Sequence, residues 1–106
     1  MGQASAIPQA VKSTLLQLYG DRLAKLILYG SRARGDFHTD SDWDFLVVLR
    51  DEEIKPGEEV RYIGDEMARL NLLLHTWISH HPTTLKRFQE ADSLFYQNVR
   101  REGVEI

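Results

Sequence analysis

Four residues in the first half of the chain have the types and spacing to bind phosphate and a metal ion. Gly30 and Ser31 form a pair, and after ten intervening residues Asp42 and Asp44 follow as an Asp-x-Asp sequence. Two carboxylates placed two residues apart on a strand point to the same side, because side chains alternate along a strand. Such a pair can share a divalent cation, and a Gly-Ser turn nearby can hold the phosphates that this cation carries.

Apolar runs on both sides of this segment predict the strands that would position it. Residues 26–29 read Leu-Ile-Leu-Tyr before the Gly-Ser pair, and residues 45–49 read Phe-Leu-Val-Val-Leu after the second aspartate. We predict strands over Leu23–Tyr29 and Asp42–Arg50, the second buried on both faces because its apolar run is continuous. The alternative is a hairpin-like connection with an acidic turn, since Asp, Ser and Gly are common turn residues.

The rest of the pattern predicts helices and one further strand. Helical spacing of apolar residues predicts a helix over Pro8–Leu18, ended by Gly20. A second helix should begin near Pro56 and give way, near Asn71, to a third strand over Leu72–Ser79. Two short helices complete the prediction, over Thr83–Glu90 and over Ser93–Glu102.

The motif resembles a known family. Gly-Ser-x-Ala-Arg-Gly over residues 30–35, followed by Ser-Asp-x-Asp and an apolar residue over 41–45, is similar to the minimal nucleotidyltransferases of the DNA polymerase β superfamily. The motif core covers residues 26–49, and a weaker similarity extends over residues 95–104. The resemblance implies an α+β (α/β-like) fold of the polymerase β nucleotidyltransferase type, with a small mixed sheet and helices packed mainly on one face. It also implies that residues 1–106 form a single minimal nucleotidyltransferase domain.

The resemblance assigns roles to the motif residues. Asp42 and Asp44 would be the catalytic carboxylates that hold Mg²⁺. Gly30 and Ser31 would bind the triphosphate of ATP, and Arg34 matches an arginine common in the family motif that could neutralise triphosphate charge. Many such proteins are partners of HEPN-type proteins, often as antitoxins. The implied activity is Mg²⁺-dependent transfer of AMP from ATP to a hydroxyl of a protein partner, with a HEPN-type toxin as the expected acceptor.

One departure from the family pattern bears on the rate of reaction. Polymerase β-type enzymes usually carry a third carboxylate on the next strand, whereas residues 70–78 contain neither Asp nor Glu. Asn71 or His75 could reach the site from there, but neither is an anionic base. The alternative function is therefore a catalytically weakened module that binds nucleotide or occludes its partner. Arg32 occupies a variable family position, so a solvated role and a binding role both stay open for it.

Two tryptophans and a pair of histidines are of types often found in functional sites, but their positions in the sequence argue against such a role. Trp43, between the two aspartates, must face away from them and is expected in the core or at an interface, whereas Trp77 is expected in the core. His80 and His81 would point in opposite directions on a strand, and Pro82 indicates a loop, so a metal site there is disfavoured.

Composition narrows the classes of partner and compartment. The 106 residues carry a net charge of −3 with no basic block, which disfavours broad nucleic-acid binding. Without cysteine, the chain has no disulfide, thiolate nucleophile or Cys-based zinc site. The first ten residues lack the regions of a signal peptide, and no apolar run is long enough to span a membrane. We therefore expect a cytoplasmic protein, and a homo-oligomer is left open.

Overall fold

The computed structural model describes the backbone of residues 3–106 and the side chains from residue 6 onward. The first two residues of the segment assessed for a signal peptide lie outside this part of the chain. Within it, no helix combines the length and the apolar character that crossing a membrane requires. In chain order the elements are α1 (Gln3–Tyr19), a 3₁₀ turn (Gly20–Arg22), β1 (Leu23–Tyr29), α2 (Ser31–Arg34), β2 (Trp43–Leu49), α3 (Pro56–Leu74), β3 (Ile78–Thr84), α4 (Leu85–Glu90), α5 (Leu94–Glu102) and β4 (Val104–Glu105).

The strands form one mixed sheet in the order β3-β2-β1-β4. Strand β1 runs antiparallel to β2 and to β4, while β2 runs parallel to β3. Tyr29, at the end of β1, pairs with Asp44, and Asp44 pairs with Ser79 near the start of β3. The connection from β1 to β2 and the connection that enters β3 therefore meet at one end of the strands.

Both faces of the sheet are covered, as the continuous apolar run of β2 predicts. The two long helices α1 and α3 pack on one face in a cluster that includes Phe45 and Val47. On the other face, Leu46 and Val48 pack with residues of α5, and α4 contributes partly buried side chains. Side chains that alternate along a strand explain this division. The mixed sheet with its main helical layer on one face agrees with the prediction, and the short helices α4 and α5 cover the second face.

The predicted boundary between the second helix and the third strand is wrong. Helix α3 continues past Asn71 to Leu74, and β3 begins only at Ile78. Leucine is a strong helix former, so the three leucines at 72–74 extend the helix. The helix ends at His75, whose left-handed backbone (φ 50°, ψ 47°) turns the chain toward the sheet.

The region after Ile78 also departs from the prediction. Pro82 lies inside β3 rather than in a loop, and the helix expected over Thr83–Glu90 begins only after the strand ends at Thr84. Because β3 is at the edge of the sheet, a proline is compatible with it. The Ile78 N–H donates to Asn71 Oδ1 at 2.9 Å, so it points away from β2.

The two tryptophans have different environments. Trp43 is 7% exposed and belongs to the core between the sheet and the long helices, as predicted. Trp77 is 63% exposed, so the prediction that it lies in the core is wrong. Trp77 precedes β3, and its carbonyl accepts the Trp43 N–H at 2.9 Å, so its backbone rather than its ring is fixed.

Candidate active site

Asp44 is the second residue of β2, the strand that lies between β1 and β3 in the sheet. Its pairing partners are Tyr29 on β1 and Ser79 on β3. Leu46 and Val48, which share its orientation along the strand, pack against the α5 face. The Asp44 carboxyl group is therefore half-buried on the face of the sheet that α5 covers, at the end of the strands where the two connections meet.

Gly30 is in close contact with Asp44 at the turn that leaves β1. Its backbone (φ 78°, ψ −160°) lies in a region that essentially only glycine occupies. A Cβ atom placed on Gly30 would lie 2.5 Å from Asp44 Oδ2 and 3.4 Å from Asp44 Cγ. Backbone conformation and space thus independently require glycine here. Ser31 follows directly as the first residue of α2, so the Gly-Ser pair and the second aspartate are neighbours in the structure.

The Asp44 carboxylate stands in an excess of negative charge. Burial raises the pKa of Asp44, the charge of Asp42 raises it further, and Arg34 opposes these effects in part. Asp42 itself is exposed. It was predicted to begin the second strand, but β2 begins one residue later, at Trp43. Two interacting carboxylates of this kind favour a bound divalent cation, which would relieve both the repulsion and the burial cost.

Arg34, the last residue of α2, is held by two carboxylates outside the Asp-x-Asp pair. Its Nε lies 3.3 Å from Asp36 Oδ2, and its Nη1 lies 3.7 Å from Glu102 Oε2. The Arg34 side chain is 43% exposed, and exposed ion pairs of this kind contribute little to stability. The guanidinium can therefore exchange these partners for a phosphate at small cost.

The third strand places a serine beside Asp44. The strand register aligns Ser79 with Asp44, whereas Asn71 and His75, the residues considered from sequence, have other positions. Asn71 accepts the N–H of Ile78, and His75 ends α3. Among the described residues, no group of three His, Cys, Asp or Glu side chains could hold a metal ion. The site thus offers two carboxylates and a hydroxyl.

An aromatic cluster lies on the same face of the sheet. Phe95 of α5 meets the Tyr29 ring edge-on, with centroids 5.4 Å apart, and its centroid is 5.3 Å from that of His81. Burial and the Asp44 charge raise the pKa of Tyr29 to about 12, so the phenol keeps its proton at neutral pH. Burial lowers the pKa of His81, and His80 faces the opposite side of β3. The cluster therefore covers this face of the sheet beside Asp44 with aromatic rings.

Comparison with known proteins identifies the family. Residues 12–106 match the family described as "Polymerase beta, Nucleotidyltransferase". The chain belongs to this family. This nucleotidyltransferase has two relatives, both from Methanocaldococcus jannaschii, that are each named "putative protein adenylyltransferase". One is 44% identical over 105 residues, covering 97% of this chain and 96% of the relative. The other is 33% identical over 94 residues, covering 89% and 86%.

A solved structure has the same fold as this nucleotidyltransferase. The crystal structure of a toxin-antitoxin with AMP-PNP matches it with a TM-score of 0.61 and 19% sequence identity, over 99% of this chain and 72% of that one. At this identity the likeness concerns the fold alone. The fold and the nucleotidyltransferase activity predicted from the motif over residues 30–45 are confirmed by these comparisons. The roles assigned to the individual motif residues stay predictions.

Proposed function

We propose that this nucleotidyltransferase acts as a single minimal domain that transfers AMP from ATP to a hydroxyl of a partner protein, with Mg²⁺ held by Asp42 and Asp44. The observation that carries the proposal is the contact of Gly30 with Asp44, together with the unbalanced charge of the two aspartates. The names of the two Methanocaldococcus jannaschii relatives support adenylyl transfer to a protein.

We further propose that the acceptor is a HEPN-type toxin and that this chain is its antitoxin. The support is the family resemblance together with the toxin-antitoxin whose fold this chain shares. Two elements near the site are short, since α2 has four residues and β4 has two. An acceptor surface supplied by a second protein is consistent with that construction.

The two aspartates fit one magnesium ion. Mg²⁺ is usually bound by one or two carboxylates together with substrate phosphates and water, and Asp42 and Asp44 supply the carboxylates. When bound, the ion would neutralise charge on the triphosphate and on the leaving oxygens. Ser79, beside Asp44, is a neutral hydroxyl and so is a poor ligand for a second such ion.

The residues of the chain itself would bind and orient the triphosphate. The side-chain-free backbone at Gly30 permits a close approach, and the Ser31 hydroxyl and N–H would donate to phosphate oxygens. Arg34 would leave Asp36 and Glu102 and neutralise phosphate charge. The acceptor oxygen then forms a bond to the α-phosphorus, the bond to pyrophosphate breaks, and the hydroxyl proton passes to water. Because the neighbouring position is Ser79 and not a carboxylate base, we expect slow transfer.

Radiolabelled ATP tests the reaction directly. The purified chain is incubated with Mg²⁺, the protein encoded next to it, and ATP labelled at either the α- or the γ-phosphate. We expect label on the partner from α-labelled ATP only. Asp44→Asn should reduce labelling at least ~100-fold, since even outer partners of metal ligands are typically worth 10–100-fold.

Asp65→Asn is the matched control, because it removes an equal charge from an exposed position on α3. It should label the partner as the wild type does. Transfer of γ-label would indicate phosphoryl transfer and refute adenylylation. An unlabelled partner that is bound and inhibited equally well by Asp44→Asn would identify an occluding module instead.

Nucleotide binding can be measured without a partner. Mg²⁺ with a non-hydrolysable ATP analogue should raise the melting temperature, because a ligand of the native state stabilises it. The double variant Asp42→Asn/Asp44→Asn should lose this increase. An increase of the same size in the double variant would contradict the metal assignment.

A further inference from the structure

We infer that Arg32 is a positioning residue, which holds the segment that carries Asp42 in place at the site. The inference rests on the proposed role of Asp42 as a metal ligand. Arg32 is the second residue of α2, and the segment it contacts, residues 37–43, comprises most of the connection between α2 and β2 and the first residue of β2. Arg32 is half-buried and contacts two backbone carbonyls and two aromatic rings, so its side chain is not free in solvent.

Arg32 binds the backbone immediately before Asp42. Its Nε and Nη2 donate to the Ser41 carbonyl at 3.3 and 3.1 Å, and Nη2 also donates to the Thr39 carbonyl at 3.3 Å. The Ser41 carbonyl and the Asp42 nitrogen belong to one planar peptide unit. Arg32 therefore fixes the orientation of the peptide plane from which Asp42 begins.

The same guanidinium contacts two aromatic rings at either end of the segment. Its Cζ lies 4.4 Å from the centroid of Phe37 and 4.4 Å from that of Trp43. Cation–π contacts at this distance are attractive, and more so when one ring is buried, as Trp43 is. Phe37 is 45% exposed, so its ring can be removed with little effect on the core.

These contacts bracket Asp42 on both sides. Ser41 before it is held by Arg32, and Trp43 after it is held by Arg32 through its ring and by Trp77 through its backbone. Elsewhere in the connection the contacts are local, between His38 and Ser41 and between Arg34 and Asp36. Asp42 is exposed, and its place near Asp44 therefore depends on this bracket. The fork of donors is specific to arginine, since a lysine could contact a ring but could not bind both carbonyls in this way.

Tryptophan fluorescence tests the bracket without reference to activity. The chain has two tryptophans, so Trp77→Phe leaves Trp43 as the single reporter. In that background, Arg32→Ala should shift the Trp43 emission to longer wavelength and increase its quenching by acrylamide. Phe37→Leu should act in the same direction, and Arg32→Lys should fall between. Arg69→Ala, an exposed arginine on α3, is the control and should leave the spectrum unchanged.

Metal dependence tests the consequence for the site. Arg32→Ala should raise the Mg²⁺ concentration for half-maximal transfer by about tenfold, the lower end of the range for groups that support a metal ligand. The KM for ATP at saturating Mg²⁺ should stay within about twofold of wild type. In the double variant Arg32→Ala/Phe37→Leu, the increase in the Mg²⁺ requirement should be smaller than the product of the two single increases, because both residues belong to one connected unit.

Two results would overturn the inference. One is an unchanged Trp43 spectrum in Arg32→Ala. The other is a raised KM for ATP in Arg32→Ala with wild-type behaviour in Phe37→Leu, which would show that Arg32 binds the triphosphate directly. If the wild type shows neither transfer nor Mg²⁺ dependence, the proposed function fails, and the Trp43 spectrum still decides whether Arg32 holds the segment.

Discussion

Replacing Gly30 with alanine separates the backbone requirement of this turn from its contact with the Asp44 carboxylate. The glycine-only conformation of Gly30 should cost an alanine roughly 1–3 kcal/mol of strain. In addition, the new Cβ would lie 2.5 Å from Asp44 Oδ2, so the side chain of Asp44 must rotate away. The strain lowers stability, whereas the rotation removes the carboxylate from its place beside Ser31. Activity should therefore fall by more than the loss of stability explains.

Gly20 provides the matched control. It precedes β1 as Gly30 follows it, has a positive φ of 56°, and a Cβ placed there meets nothing within 4 Å. Gly20→Ala should cost about 1–2 kcal/mol, the usual penalty for a left-handed backbone, and a small domain then loses roughly 4–8 °C of melting temperature per kcal/mol.

Thermal melts and partner labelling below the melting transition distinguish the two variants. Both should remain folded at the assay temperature, with Gly20→Ala transferring AMP at the wild-type rate. Gly30→Ala should lose at least about tenfold in rate and most of the stabilisation by Mg²⁺ and nucleotide, comparable to disturbing the support of a metal ligand. A folded Gly30→Ala variant with the wild-type rate would refute the assignment of Asp44 to the site.

Further predictions concern charge and packing around Asp44. Because burial and Asp42 raise the pKa of Asp44, the folded protein binds more protons than the unfolded one, and this group's contribution to stability falls as pH rises. Without ligand, Asp44→Asn should thus melt at a higher temperature than wild type at pH 7, with the gap closing in acid; a gap that widens in acid would contradict the sign. Ser79→Asp should lower the melting temperature without Mg²⁺ and increase the transfer rate with it, whereas neutral Ser79→Asn should do neither. Trp43→Ala should cost about 3–5 kcal/mol in chemical denaturation, and Trp77→Ala, at a 63% exposed position, less than about 1 kcal/mol.

Elements with strong local signals could be predicted from the sequence. Strand β1 has both of its predicted ends, and α3 begins at Pro56, where proline suits the first helical turn. The end of α3 could not be predicted, because the leucines that continue it look like the start of a buried strand. Leu72 and Leu73 are instead 79% and 61% exposed, so their apolar character did not indicate burial.

The site was predictable where it depends on spacing along the chain, and less so where it depends on distant contacts. The Gly30–Asp44 contact follows from a turn and two adjacent strands, which the motif specifies. The position of Ser79 depends on the register of two parallel strands joined through α3, a pairing that no short sequence pattern fixes. The contacts of Arg32 depend on the course of an irregular connection, for which its sequence gives little signal.

The placement of Pro82 limits how this sheet can meet another protein. Backbone groups two residues apart point to the same side of a strand, so Pro82 faces the free side of β3 together with Ile78. Proline has no N–H, and that of Ile78 is already bound by Asn71. A strand from another protein would find few free backbone N–H donors along β3, and the edge strand on the opposite side of the sheet is the two-residue β4. Edges of this kind resist strand addition and the aggregation it causes. We therefore expect the proposed partner to contact this molecule through side chains rather than by extending its sheet.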